Sequence, residues 1–128
     1  MDNPIVRLDH IVITVTDLER SLRFYRDALG LGVESFDNGR LALRIGEQKI
    51  NIHVSGREFE PYAAKPVPGA ADFCLITALP VAGLAEALEK RGIGVELGPV
   101  PRAGSLGPLN SIYLRDPDGN LVEIANQL

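Results

Sequence analysis

The sequence has a single cysteine, Cys74, and that scarcity excludes a disulfide framework or a dithiol redox pair. No run of about 18 apolar residues occurs, so a membrane-spanning helix is excluded as well. The opening stretch MDNPIVRLDH lacks the basic start and apolar core of a signal peptide, which predicts a cytoplasmic protein. The 13 lysines and arginines are scattered without forming a basic stripe, and the formal net charge is −4. A nucleic-acid partner is therefore not expected, and a small molecule is. With 128 residues, 45% hydrophobic and 23% charged, the chain fits one globular domain that buries roughly two-thirds of its unfolded surface.

What is present reads as a repeated unit. Residues 8–16, LDHIVITVT, are apolar and β-branched, as a strand requires. Leu18, Leu22, Tyr25 and Leu29 follow at spacings of three and four, which predicts an amphipathic helix, capped by Thr16 or Asp17 and stopped by Gly30 and Gly32. VESF, RLALRI and KINIHV are three further strands, the first two joined by the hairpin signal Asn38-Gly39. After a proline-rich linker, about residues 57–70, the order recurs: ADFCLIT as a strand, Pro80 to Arg91 as a helix, then GVELGPV, SIYLR and NLVEI as strands. A shift of 62 sets Leu22 on Leu84, Gly30 on Gly92 and Val33 on Val95. The expected fold is α+β, two βαβββ modules over about 5–56 and 71–128, produced by duplication. The tight turn of the first module is replaced in the second by residues 99–110, PVPRAGSLGPLN, which reads as a long loop.

Ligand-type side chains interrupt these strands. Alternation places His10 on one face with Val12 and Thr14, His53 with Asn51, Asp72 with Cys74 and Ile76, and Glu123 with Leu121 and Ala125. Each has a plain structural reading: a packed histidine, a turn aspartate, and for Cys74 a small buried hydrophobe. A carboxylate inside a strand is costly unless a cation meets it, however, and two histidines with two carboxylates recur near the first and last strands of both modules. Such a set suits Zn, Ni, Co, Mn or Fe(II).

LDHIVITVTDLERSLRFYRDALGL at 8–31 and SIYLRDPDGNLVEI at 111–124 resemble the vicinal oxygen chelate superfamily, the glyoxalase I, fosfomycin-resistance, bleomycin-resistance and extradiol-dioxygenase relatives. The resemblance spans essentially the whole chain. It implies a cupped, barrel-like mixed sheet around a divalent metal, with His10 and Glu123 as ligands and His53 and Asp72 completing the set. It further implies a homodimer with sites shared between chains. His53 stands where glyoxalase relatives have a carboxylate and Asp72 where they have a histidine.

The chemistry so implied is metal-assisted chelation of two substrate oxygens, with Glu123 or Asp72 moving a proton and Tyr113 binding substrate. A glyoxalase-like lyase or isomerase is the leading expectation. An extradiol dioxygenase, a metal-free binding protein of the bleomycin-resistance type and a fosfomycin-type thiol transferase are the alternatives; the last would need basic side chains around the cup.

Overall fold

The computed structural model describes residues 3–128. Two units make up the chain, the first ending at Pro68 and the second running from Gly69 to Leu128.

In the first unit, β1 (His10–Val15) leads into α1 (Leu18–Leu22), and β2 (Gly32–Phe36), β3 (Arg40–Ile45) and β4 (Gln48–Val54) follow. The sheet order is β1-β4-β3-β2, with β1 parallel to β4 and the other pairs antiparallel. The β2–β3 turn needs three left-handed residues, and Asp37, Asn38 and Gly39 supply them at φ 43°, 63° and 110°. Asp17 caps α1, its side chain accepting from the Arg20 N–H at 3.1 Å.

The expected uninterrupted α-helix is corrected after Leu22, because Arg23–Ala28 winds as a π-helix. The Leu29 N–H donates to the Phe24 carbonyl five residues back, at 3.0 Å. That wider turn lets two sequence neighbours, Phe24 and Tyr25, both bury, with their rings edge-to-face at 4.8 Å. With Ile13, Val15, Leu43, Ile50 and Ile52 they make the apolar core of this unit.

The second unit repeats the order with β5 (Asp72–Ile76), α2 (Val81–Lys90), β6 (Val95–Gly104), β7 (Gly107–Arg115) and β8 (Leu121–Gln127), in the sheet order β5-β8-β7-β6. Pro80 gives α2 no side-chain cap. Asn126 of β8 does the work instead, accepting from the Val81 N–H at 2.9 Å while donating to the Thr77 and Leu79 carbonyls.

Residues 99–110 are not the long loop their Gly and Pro content suggests. They continue β6 and β7 into a hairpin whose tip is only Ser105 and Leu106. Two features make this possible. β6 is the sheet's edge, where prolines at 99 and 101 need not donate to an outer neighbour, and the register shifts around Gly98 absorb the irregularity. No helix among the described residues is long and apolar enough to cross a membrane.

Candidate functional site

Each sheet has one face lined by the apolar core and a second that carries the polar side chains. Strand register fixes which residues share a rung on that polar face.

In the first unit one rung holds Thr14 opposite His53, with Phe36 paired to Arg40 farther along; the next holds Val12, Asn51, Ala42 and Glu34; the third holds His10, Lys49, Arg44 and Gly32. His10 is exposed, and its Nδ1 lies 2.8 Å from Asp9 Oδ2. That bond draws the Asp9 carboxyl below its usual range, and it leaves the neutral ring's lone pair on Nε2, the arrangement of a backed metal ligand. His53 is 3% exposed and lies two rungs from His10. Its Nε2 is 3.4 Å from Arg40 Nη2, and its ring stands 5.8 Å from that of Phe59. Burial first, then the Arg40 charge, pull the His53 pKa below its ordinary value, so the ring is a neutral acceptor for the guanidinium. Asn51 is 4% exposed, and its Oδ1 has no hydrogen-bond partner.

In the second unit Glu123 is bracketed on its rung by Cys74 of β5 and Tyr113 of β7. Asp72, exposed at the start of β5, pairs with Leu121 and is thus the diagonal neighbour of Glu123. Cys74 is not the buried hydrophobe its type suggests; the residue is exposed, on edge strand β5. Desolvation and the neighbouring Glu123 carboxylate push its pKa up to about 11, and its Sγ lies 3.9 Å from the Leu75 carbonyl. Tyr113 accepts from Arg102 Nε at 2.8 Å, and that guanidinium lies 5.3 Å from the phenol ring. The phenolic proton is therefore left to donate elsewhere. Arg115 meets Glu96 through two bonds of 3.0 and 3.1 Å, so it acts as a paired surface charge.

The turn before β8 decides that Glu123 occupies this face. Asp116 Oδ1 accepts from the backbone N–H groups of Asp118 and Asn120, both at 2.9 Å, and its Oδ2 accepts from Asn120 Nδ2 at 2.7 Å. Asn120 Oδ1 in turn accepts from the Ala71 N–H at 2.8 Å, which ties β8 to the entry of β5. A slip of one residue would turn Val122 outward and Glu123 into the core.

No group of three or more His, Cys, Asp and Glu side chains converges into a metal site among the described residues. The donor chemistry fits a divalent cation at His10, whose Nε2 is free, and at the Asp72–Glu123 pair. It fits poorly at His53, where a guanidinium already faces the ring nitrogen. Sequence reasoning passed over Arg40, Lys49 and Phe59. Arg40 is recognisable only once the β3–β4 register brings it to His53, and Phe59 lies in what reads as a linker.

The family model for the Glyoxalase/Bleomycin resistance protein/Dioxygenase superfamily matches residues 7–124. The virulence protein STM3117 of Salmonella typhimurium is 47% identical over 119 residues, 93% of this chain and 83% of the relative. Its crystal structure superposes with a TM-score of 0.93 at 46% identity, covering 97% of this chain and 98% of the other. The glyoxalase domain-containing protein RDO1 of Mycosarcoma maydis is 47% identical over 93% of this chain and 67% of its own length. A lactoylglutathione lyase from Agrobacterium tumefaciens is 25% identical with a TM-score of 0.72, covering 97% of this chain and 96% of its own. The two βαβββ units, their mixed sheets and these matches agree: the chain belongs to the Glyoxalase/Bleomycin resistance protein/Dioxygenase superfamily.

Proposed function

We propose that the protein is a divalent-metal-dependent enzyme of this superfamily, a glyoxalase-like lyase or isomerase acting on a small substrate with two neighbouring oxygens. Two observations support the reading, one in each unit: the Nδ1 of His10 is held by Asp9, which leaves Nε2 free, and the strand carboxylate Glu123 is neutralised by no arginine or lysine among the described residues. The likeness to a lactoylglutathione lyase supports the reaction class. His10, Asp72 and Glu123 would hold the metal, and His53 stays with Arg40. When bound, the metal supplies Lewis-acid polarisation of the substrate oxygens.

The chain's own residues supply the rest. A carboxylate of the Asp72–Glu123 pair moves the proton between adjacent carbons. The Cys74 thiol shares the Glu123 rung, and burial together with that carboxylate keeps it protonated, so no second negative charge stands beside Glu123. Tyr113, held by Arg102, donates its hydroxyl proton to substrate. A homodimer belongs to the same proposal and is checked by sedimentation.

Elemental analysis of the purified protein and of His10→Ala and Glu123→Ala tests the reading. Stoichiometric metal lost in both variants is expected, together with turnover of a hemithioacetal; no metal after reconstitution overturns it. Turnover of a catechol in place of the hemithioacetal would identify a dioxygenase instead.

A further inference from the structure

We propose that the polar face of the first sheet binds the oxyanion of a small organic acid between Arg40 and Lys49. The Arg40 guanidinium carbon lies 5.1 Å from the ring centre of Phe36 and 4.8 Å from that of Phe59. Lys49 Nζ sits 3.5 Å from the same Phe36 ring, although its backbone is two rungs away. One phenyl ring thus faces two cations. The rings' quadrupoles hold both charges in place without neutralising either.

Neither cation forms an ion pair among the described residues. Of the nearby carboxylates, Glu34 is bound by Arg44 at 3.0 Å and Asp9 by His10, while Glu58, which acts electrostatically on His53, forms no ion pair with either cation. Two cations that share one phenyl ring and form no ion pair among the described residues have room for an anion as partner. The binding fork is also oriented, since Arg40 donates toward His53 Nε2 at 3.4 Å and its remaining N–H groups suit a carboxylate or phosphonate edge.

Two further features shape the occupant. On the rung between His53 and Lys49 stands Asn51, whose buried oxygen has no partner and whose NH2 is the group that can donate to the same anion. Phe59 and Val12 are 44% and 45% exposed, and they offer an apolar flank to the body of the ligand. The site therefore selects an organic anion over inorganic phosphate. It involves no metal ligand of the reading above, and the two stand or fall separately.

Isothermal titration of the protein as purified, at low ionic strength, with benzoate, phenylphosphonate, benzamide and inorganic phosphate tests this. Saturable binding of benzoate or phenylphosphonate is expected, at least about tenfold tighter than benzamide or inorganic phosphate, and weakened by salt. Arg40→Gln should weaken it at least about tenfold, and Arg40→Lys by less, because the charge stays while the fork is lost. Asn51→Asp, nearly the same shape, places a carboxylate among the cations and should also weaken it at least about tenfold, which keeps the test informative if Arg40→Gln fails to fold. Absence of saturable binding by both organic anions overturns the proposal. So does benzamide or phosphate binding as tightly as the organic anions, or unchanged binding in a folded Arg40→Gln or Asn51→Asp protein.

Discussion

Replacing Asn120 by alanine should destabilise the second unit by about 3–5 kcal/mol. Asn120 is 1% exposed and joins three pieces of chain. Its side chain donates to the Asp116 carboxylate at 2.7 Å and accepts from the Ala71 N–H at 2.8 Å. The first is a charge-assisted bond worth roughly 1.5–3 kcal/mol, and losing the second orphans a half-buried N–H at roughly 1–3 kcal/mol. The backbone bond from the Asn120 N–H to Asp116 survives the substitution, so the turn is weakened without being removed. In urea, with a slope on the order of 1.5 kcal/mol per molar, the midpoint should fall by about 2–3 M at unchanged slope. Gln127→Ala, which removes one exposed bond to Pro108, should stay within about 0.5 kcal/mol. A loss below about 1 kcal/mol for Asn120→Ala would refute the argument that this network sets the β8 register.

Three further outcomes follow from the same geometry. Glu123→Gln removes the negative charge beside Cys74 and should bring its thiol pKa below about 11, read as thiolate absorbance near 240 nm against pH; an unchanged or higher value would contradict the contact. His53 has a folded pKa below its unfolded value, so stability should be flat above about pH 6.5 and fall as pH drops below it, because the unfolded chain takes up the proton first; Arg40→Gln, by removing the second cause of the shift, should shrink that loss, as thermal melts from pH 7.5 to 5 would show. A Cβ at Gly98, where φ is 111°, would drive into the Ser111 carbonyl of the neighbouring strand, so Gly98→Ala should cost at least about 2 kcal/mol and lower the melting temperature by roughly 8 °C or more; a shift under about 3 °C would mean that the edge strand yields freely.

Features governed by neighbours in sequence were legible. The β-branched run of β1, the left-handed Asn38-Gly39 turn and the DPDG turn before β8 each state their conformation locally, and strand alternation alone placed His10 and Glu123 on the polar faces. What escaped depends on partners distant in the chain. The spacing of Leu18, Leu22, Tyr25 and Leu29 is satisfied by an α-helix, and only burial of both Phe24 and Tyr25 selects the π turn. The Pro- and Gly-rich segment 99–110 reads as a loop because nothing local reveals that β6 is an edge, where proline is tolerated. Likewise nothing local to His53 reveals that register sets Arg40 beside it.

Register also changes which residues of the two modules correspond. His10 and Asp72 both open the first strand of their unit, and two residues later Val12 faces Asn51 while Cys74 faces Glu123. The counterpart of Glu123 is therefore Asn51, and that of His53 is Ala125. The corresponding positions share their place in the ladder and differ in carrying an amide in the first unit and a carboxylate of nearly the same shape in the second. Their surroundings explain what the difference does. Beside Asn51 stand Lys49 and, across the ladder, Arg40, and a carboxylate there would neutralise both; beside Glu123 stand a protonated thiol and a phenol, which leave its charge intact. The two corresponding faces thus differ in electrostatic sign, the first suited to an anion and the second to a cation, with the sheet register common to both.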